Sequence, residues 1–164
     1  MATGSRRSTK FAVDAMLGSL ARKLRAFGFD STYYKDLTDS RILSLCKQNG
    51  RVLVTADRRL AAQANARGLR AMLVSGSTDG RRLSALVRAA RESGLAFRRG
   101  EPRCSLCNGE LKVVAPEAAR RVVPAAVAGR HRVFTQCSTC GQVYWKGGHW
   151  KKLRRLEKLF DAKS

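Results

Sequence analysis

The sequence predicts an α/β fold, a parallel sheet between layers of helices, followed by a small module closed on four cysteines. Three observations predict it. In the first hundred residues, short apolar runs alternate with amphipathic helical patterns, as in parallel strands joined by crossover helices. Two Cys-x-x-Cys pairs, Cys104/Cys107 and Cys137/Cys140, flank the excursion 108–136. Between these regions, Gly100 and Pro102 sit in a charged stretch that marks a boundary. The expected organisation is a flexible basic start (1–9), an α/β domain (10–100), a cysteine module (101–150) and a basic C-terminal helix (151–164).

Residues 10–13 (KFAV) read as a short buried strand that ends on Asp14. Over 15–28, helical spacing puts Met16, Leu17, Leu20, Ala21, Leu24 and Phe27 on one face and Arg22, Lys23 and Arg25 on the other, and Gly28 stops the helix. Residues 31–34 (STYY) have strand composition. A second helix opens at Thr38 or Asp39, turns Ile42, Leu43, Leu45 and Cys46 inward, and closes at Asn49-Gly50. Residues 51–55 (RVLVT) are a continuous apolar run of the parallel-sheet kind, leading through Ala56 to Asp57 and a third helix with Leu60, Ala61 and Ala64 inside. Residues 70–74 (RAMLV) form a fourth strand. The polar turn SGSTDG then opens a helix over 80–92, with Leu83, Leu86, Val87 and Ala90 buried. In the C-terminal part, strands are expected at 111–114 and 131–135, and 151–160 (KKLRRLEKLF) reads as an amphipathic basic helix.

Two residues between cysteines let both thiolates of a tight turn face one ion, and two such turns supply a tetrahedral set for structural zinc. Gly109 and Gly141 follow the pairs closely and suit the backbone approach such turns need. Disulfides are the alternative and require an oxidising compartment. The fifth cysteine, Cys46, falls on the apolar helix face and reads as a buried thiol.

Thirty-three Lys and Arg face twelve Asp and Glu, a formal charge of +21. Residues 1–100 carry +13 of it and the remainder +8, so both halves share the bias. Such a balance favours a polyanionic partner through phosphate contacts. A merely solvated basic surface is the plainer reading, but solubility needs far less charge. No stretch has the length and apolarity of a membrane span, and residues 1–10 lack a signal-peptide core. The expectation is a cytoplasmic protein without a membrane partner.

Acids are scarce, so their positions carry information. Asp14 and Asp57 lie just past strands, Asp39 opens the second helix, and Asp79 precedes the fourth. In an open parallel sheet the carboxyl ends of the strands share one edge, where ligands bind. Acids meeting there would repel one another unless a hard cation, Mg²⁺ or Mn²⁺, held them. Helix capping is the alternative for each. The pattern leaves both readings open for Asp14, Asp39 and Asp57 and favours capping for Asp79. Arg22, Lys23 and Arg25 follow Asp14, and Arg58 and Arg59 follow Asp57, as expected of residues that position phosphates. After the second cysteine pair, Tyr144, Trp145, Lys146, His149, Trp150, Lys151 and Lys152 interleave aromatic faces with cations, which suits unpaired bases beside phosphates. Packing of the module against the sheet domain is the competing role for Trp145 and Trp150, favoured for Trp145 and left open for Trp150. Thr55 and Ser19 read first as a buried strand threonine and a helix-surface serine, with positioning of a ligand or a water as the alternative.

Segments 14–30 (DAMLGSLARKLRAFGFD), 52–60 (VLVTADRRL), 103–111 and 137–150 (CSTCGQVYWKGGHW) together resemble the Mut7-C family of predicted ribonucleases, in order and across most of the chain. The resemblance implies a PIN-like α/β/α domain followed by a zinc ribbon. It also implies a divalent-metal endoribonuclease site with Asp14, Asp39 and Asp57 as metal-binding carboxylates. Asp79 is the only candidate for a fourth acid, and its position fits less well. The implied partner is RNA, with ribosomal RNA or a ribosomal subunit among the candidates. Two other classes stay open: a non-catalytic ribosome-binding factor and a PIN-type toxin.

Overall fold

In the computed structural model, residues 9–161 are described. The expected flexible start lies, apart from Thr9, outside them. Four parallel strands, β1 (Phe11–Val13), β2 (Ser31–Tyr33), β3 (Val52–Thr55) and β4 (Ala71–Leu73), form a sheet of order β2-β1-β3-β4. Crossovers are made by α1 (Gly18–Ala26), α2 (Asp39–Asn49) and α3 (Arg58–Ala66), and α4 (Asp79–Glu92) follows β4. The pleat sorts the strand residues. Phe11, Val13, Val52, Val54, Met72 and Val74 pack with α1 and α4, while Ala12 and Leu53 pack with α2 and α3. Both faces are therefore covered, which is why these strands are apolar throughout and do not alternate.

One expected core position is corrected. Met16 is 69% exposed. Residues Ala15–Leu17 form a single 3₁₀ turn ahead of α1, and its tighter winding breaks the helical phase that would have turned Met16 inward.

The cysteine module is a three-stranded antiparallel sheet, β5 (Leu111–Val114), β6 (Phe134–Cys137) and β7 (Val143–Trp145), in that order. The strand expected at 131–135 starts later. Two short helices, α5 (Pro116–Arg120) and α6 (Ala125–Arg130), fill the excursion and set Ala119 and Ala128 against Phe134 and Val143. Trp145 packs in this small core and not against the sheet domain.

The last helix, α7 (Gly148–Asp161), does not hang from the module. Its Leu153, Leu156, Leu159 and Phe160 pack on the α1/α4 side of the first core. Phe160 closes an aromatic group with Phe27, Phe29 and Phe97, in which Phe29 and Phe97 stack at 4.4 Å. Arg91 donates to the Phe160 carbonyl at 3.0 Å. Among the described residues no helix is long and apolar enough to cross a membrane.

Candidate active site and metal centre

The chain leaves β1 towards β2 and leaves β3 towards β4, so strand order reverses between β1 and β3. Ligands of open α/β sheets bind beyond the carboxyl ends of the strands at such a point. Asp14 follows β1 there and is only 6% exposed. Asp57 follows β3 by one intervening residue. Between them stands Thr55, the fully buried last residue of β3. Its hydroxyl donates to Asp14 Oδ2 at 2.6 Å and accepts from the Asp57 backbone N–H at 2.9 Å. A hydroxyl can do both at once, and here it ties the two acid-bearing loops together.

Both acids also cap. Asp14 Oδ1 accepts from the Met16 N–H at 3.3 Å, and Asp57 Oδ1 accepts from Arg59 and Leu60 at 2.7 and 3.2 Å. Asp57 Oδ2 has no hydrogen-bond or ion-pair partner among the described residues. Asp39 is the exposed first residue of α2, with Thr38 ahead of it as the cap position. It lies on the same edge, because α2 follows the carboxyl end of β2. Asp14, Asp39 and Asp57 do not form a set of ligand atoms within 4.8 Å of one another. Asp79 is occupied: its Oδ2 accepts from Ser19 at 2.5 Å and from the Lys23 ammonium at 2.6 Å. Burial pushes the Asp79 carboxyl up, yet the bonds from Lys23 and Ser19 and the charges of Lys23 and Arg82 outweigh it and hold the pKa below the usual carboxylate value. The α4 cap is Thr78, which accepts from the Arg81 N–H, so Asp79 ties α4 to α1 and does not cap.

The expected RNA contacts divide. Arg22, Arg58, Arg59, Lys146, His149, Lys151 and Lys152 are exposed, and Trp150 is half-buried with the Lys146 ammonium 5.7 Å from its ring centre. Lys23 is engaged by Asp79. Arg25 is corrected. It is 6% exposed, and its guanidinium donates to the carbonyls of Ser31 at 2.7 Å, Ser105 at 2.9 Å and Leu106 at 2.8 Å. A cation bonded inside in this way cannot meet a phosphate.

Those carbonyls lead to the metal centre. Among the described residues, Cys104, Cys107, Cys137 and Cys140 are the one set of ligand-type side chains with all ligand atoms within 4.8 Å of one another. Sγ–Sγ distances are 3.5 Å for Cys104–Cys140 and 3.4 Å for Cys107–Cys137. A tetrahedron with Zn–S bonds of about 2.3 Å has edges of roughly 3.8 Å, so the four thiolates fit zinc. Each knuckle turns on a left-handed residue four positions after its first cysteine, Asn108 at φ 70° and Gly141 at φ 75°. Gly109 has another reason. A Cβ there would lie 2.6 Å from Thr139 Oγ1 and 2.9 Å from Cys137 Sγ. The four clustered thiols divide: the pKa values of Cys104 and Cys137 are lowered, whereas Cys107, despite its bond from the Gly109 N–H, is pushed up to about 12 by burial and its cysteine neighbours, and Cys140 is raised as well. Burial pushes Cys137 up, but N–H bonds from Cys140 and Thr139 and its cysteine neighbours outweigh that and bring its pKa to about 6.

Tyr144, one of the aromatics interleaved with cations in this segment, places its hydroxyl 3.1 Å from Cys104 Sγ. Burial and the Cys104 contact push the Tyr144 phenol up to about 12, so the proton stays on oxygen, and the hydroxyl bridges Cys104 Sγ and Ser105 Oγ, each at 3.1 Å. Asn108 then joins the knuckle to the α/β unit. Its side chain accepts from the Ser31 N–H at 3.1 Å and donates to Asp30 at 2.8 Å, and Asp30 also accepts from Arg51 at 2.7 Å. Ser31 opens β2 and Arg51 precedes β3. The cysteine centre is therefore anchored at the amino edge of the sheet, opposite Asp14 and Asp57.

The Mut7-C RNAse domain model matches residues 9–157, covering both units in one span. The chain belongs to the Mut7-C RNAse domain family. Membership points to a ribonuclease or RNA-related role with RNA as substrate or partner. No match is found among curated proteins or among solved structures. Within this Mut7-C chain, the four-cysteine cluster is consistent with structural zinc.

Proposed function

We propose that this Mut7-C chain is a PIN-like endoribonuclease of the cytoplasm that cuts RNA phosphodiesters with Mg²⁺ or Mn²⁺. Asp14, Asp57 and Asp39 supply the carboxylates. The observation that carries the reading is the Asp14–Thr55–Asp57 linkage at the reversal of strand order. Mg²⁺ is commonly held through one or two carboxylates together with waters and substrate phosphates, so a pair of hard oxygen donors is a fitting set. When bound, such an ion makes water a better nucleophile and offsets charge on the leaving oxygen. The chain's own residues do the rest. Thr55 fixes the orientation of the Asp14 carboxylate. Asp57 spends one oxygen on α3 and keeps the other free. Arg58 and Arg59, exposed beside Asp57, attract the phosphate chain.

The test is cleavage of single-stranded or ribosomal RNA by the purified, zinc-loaded protein with Mg²⁺ or Mn²⁺. Asp14→Asn and Asp57→Asn each abolish cleavage while leaving the circular dichroism spectrum unchanged. Wild-type rates in both variants remove this site from the chemistry.

A second reading is a non-catalytic factor that binds ribosomal RNA or a ribosomal subunit. It is favoured by the caps, since Asp14 and Asp57 each already serve a helix start, and by the absence of a close three-acid set among the described residues. Co-sedimentation with ribosomal subunits in moderate salt, without cleavage, selects it.

A further inference from the structure

Beyond β4 the chain forms a shallow pocket of about 270 Å³, lined by Ser75, Gly76, Arg81, Ser84, Ala85 and Arg88. It is open on one side and does not enclose a ligand as small-molecule pockets do, so what it offers is a lined surface against which a chain can lie. The polar lining is two guanidinium groups and two hydroxyls, with no carboxylate, so it selects an anion. The side chain of Arg81 has no hydrogen bond or ion pair among the described residues. Arg88 has only Glu92, at 4.0 Å, and both are more than two-thirds exposed, so that pairing holds little. Asp79, two residues before Arg81 in sequence, is engaged by Lys23. Gly76 keeps the floor open: at φ +129°, a Cβ would stand 2.7 Å from Arg81 Cβ. The α4 N-terminus is already capped by Thr78, so the site rests on side chains and not on the helix end. The pocket opens at the carboxyl end of β4, next to β3, whose end holds Thr55 and leads to Asp57.

We propose that this pocket is a backbone-phosphate subsite for single-stranded RNA, in which Arg81 and Arg88 grip a phosphate one strand over from the carboxylates. The proposal rests on RNA as the partner and deepens that reading. Guanidinium forks match phosphate oxygens, and both arginines can engage one phosphodiester or two successive ones.

The experiment is fluorescence anisotropy with a fluorescein-labelled twelve-nucleotide oligouridine, using the full zinc-loaded chain in Mg²⁺-free buffer over a KCl series. Arg81→Gln/Arg88→Gln is compared with Arg67→Gln/Arg70→Gln, which removes equal charge from exposed positions at the amino edge of the sheet. The subsite variant weakens binding about tenfold or more and lowers the salt slope by about 0.7 per lost single-strand phosphate contact, while the control shifts less than about threefold. Equal losses in the two variants, or no loss in either, overturn the subsite and leave RNA binding intact. If the unmodified chain does not bind at low salt, the RNA reading falls too. Thermal melts accompany each variant, and Arg88→Gln alone, which leaves the first turn of α4 untouched, serves where the double change melts early.

Discussion

Arginine 25 offers the sharpest test of how the two units depend on each other. Arg25→Met keeps the aliphatic stem and removes the charge. Three carbonyls, at 2.7–2.9 Å, lose their donor, two of them in the loop between Cys104 and Cys107. Hydrogen bonds from a charged donor contribute about 1.5–3 kcal/mol each. Against this, burying a guanidinium is itself costly, and no carboxylate bonds to Arg25 among the described residues. Its compensation is the thiolate cluster: burial pulls the Arg25 pKa down, while Cys104 and Cys107 push it back up. A Zn(Cys)₄ centre would carry two net negative charges beside it. Setting the lost bonds against the recovered desolvation leaves a net loss of about 3 kcal/mol. For a chain of this length that is a fall in Tm of roughly 6–12 °C. Scanning calorimetry on the zinc-loaded protein measures it, and a chromogenic chelator reads zinc release in parallel, which should quicken. Arg25→Lys retains the charge but not the fork, and should recover only part of the loss. If Arg25→Met melts within about 2 °C of wild type and holds zinc equally well, Arg25 does not anchor the cysteine turn to the sheet.

Other outcomes follow from single contacts. Thr55→Val leaves Asp14 Oδ2 and the Asp57 N–H without their shared partner, at a cost of about 1–3 kcal/mol read by urea denaturation, and it slows RNA cleavage because the Asp14 carboxylate is no longer oriented. Gly109→Ala drives a methyl into Cys137 Sγ and Thr139, and zinc competition with a fluorescent chelator should show weaker retention with the α/β helices intact. Asp79 has a depressed pKa in the folded chain, so its contact with Lys23 stabilises the fold above the unfolded carboxylate value near ~3.9 and is lost as pH falls through the folded value. The Tm of wild type should therefore drop more steeply below about pH 4 than that of Asp79→Asn, with a difference at pH 7 of about 1 kcal/mol. Strong chelation should unfold the cysteine module, with Tyr144 and Trp145 fluorescence reporting the loss.

Most strands and helices of the α/β unit were legible because the residues state them twice. Residues 51–55 are apolar on both faces and are followed by a capping acid, and 39–49 carry helical periodicity closed by Gly50 in a left-handed conformation. The cysteines were legible from spacing alone. Met16 was not, because one 3₁₀ turn shifts the helical phase without changing composition. Helices α5 and α6 were missed because they are short and alanine-rich, with too few large apolar residues to show a period. Pro116, at the first helical position, was the available signal. Arg25 stands among Arg22 and Lys23 on the helix, and nothing local distinguishes a cation that segments eighty residues away will cover. At the carboxyl edge, strand ends foretold where Asp14 and Asp57 arrive. They did not reveal that Thr55 joins them, because a buried threonine in a strand looks like any β-branched filler.

The aromatic seat of Phe160 changes how this chain can be dissected. Since α7 returns to rest on Phe27, Phe29 and Phe97, the cysteine module is an inlay between two pieces of one core. A fragment ending at residue 100 would bare a greasy aromatic shelf and clump. Splicing residues 100 and 148 through a short flexible bridge would retain Phe97 and keep that shelf roofed, and it is the cut by which the sheet could be studied alone.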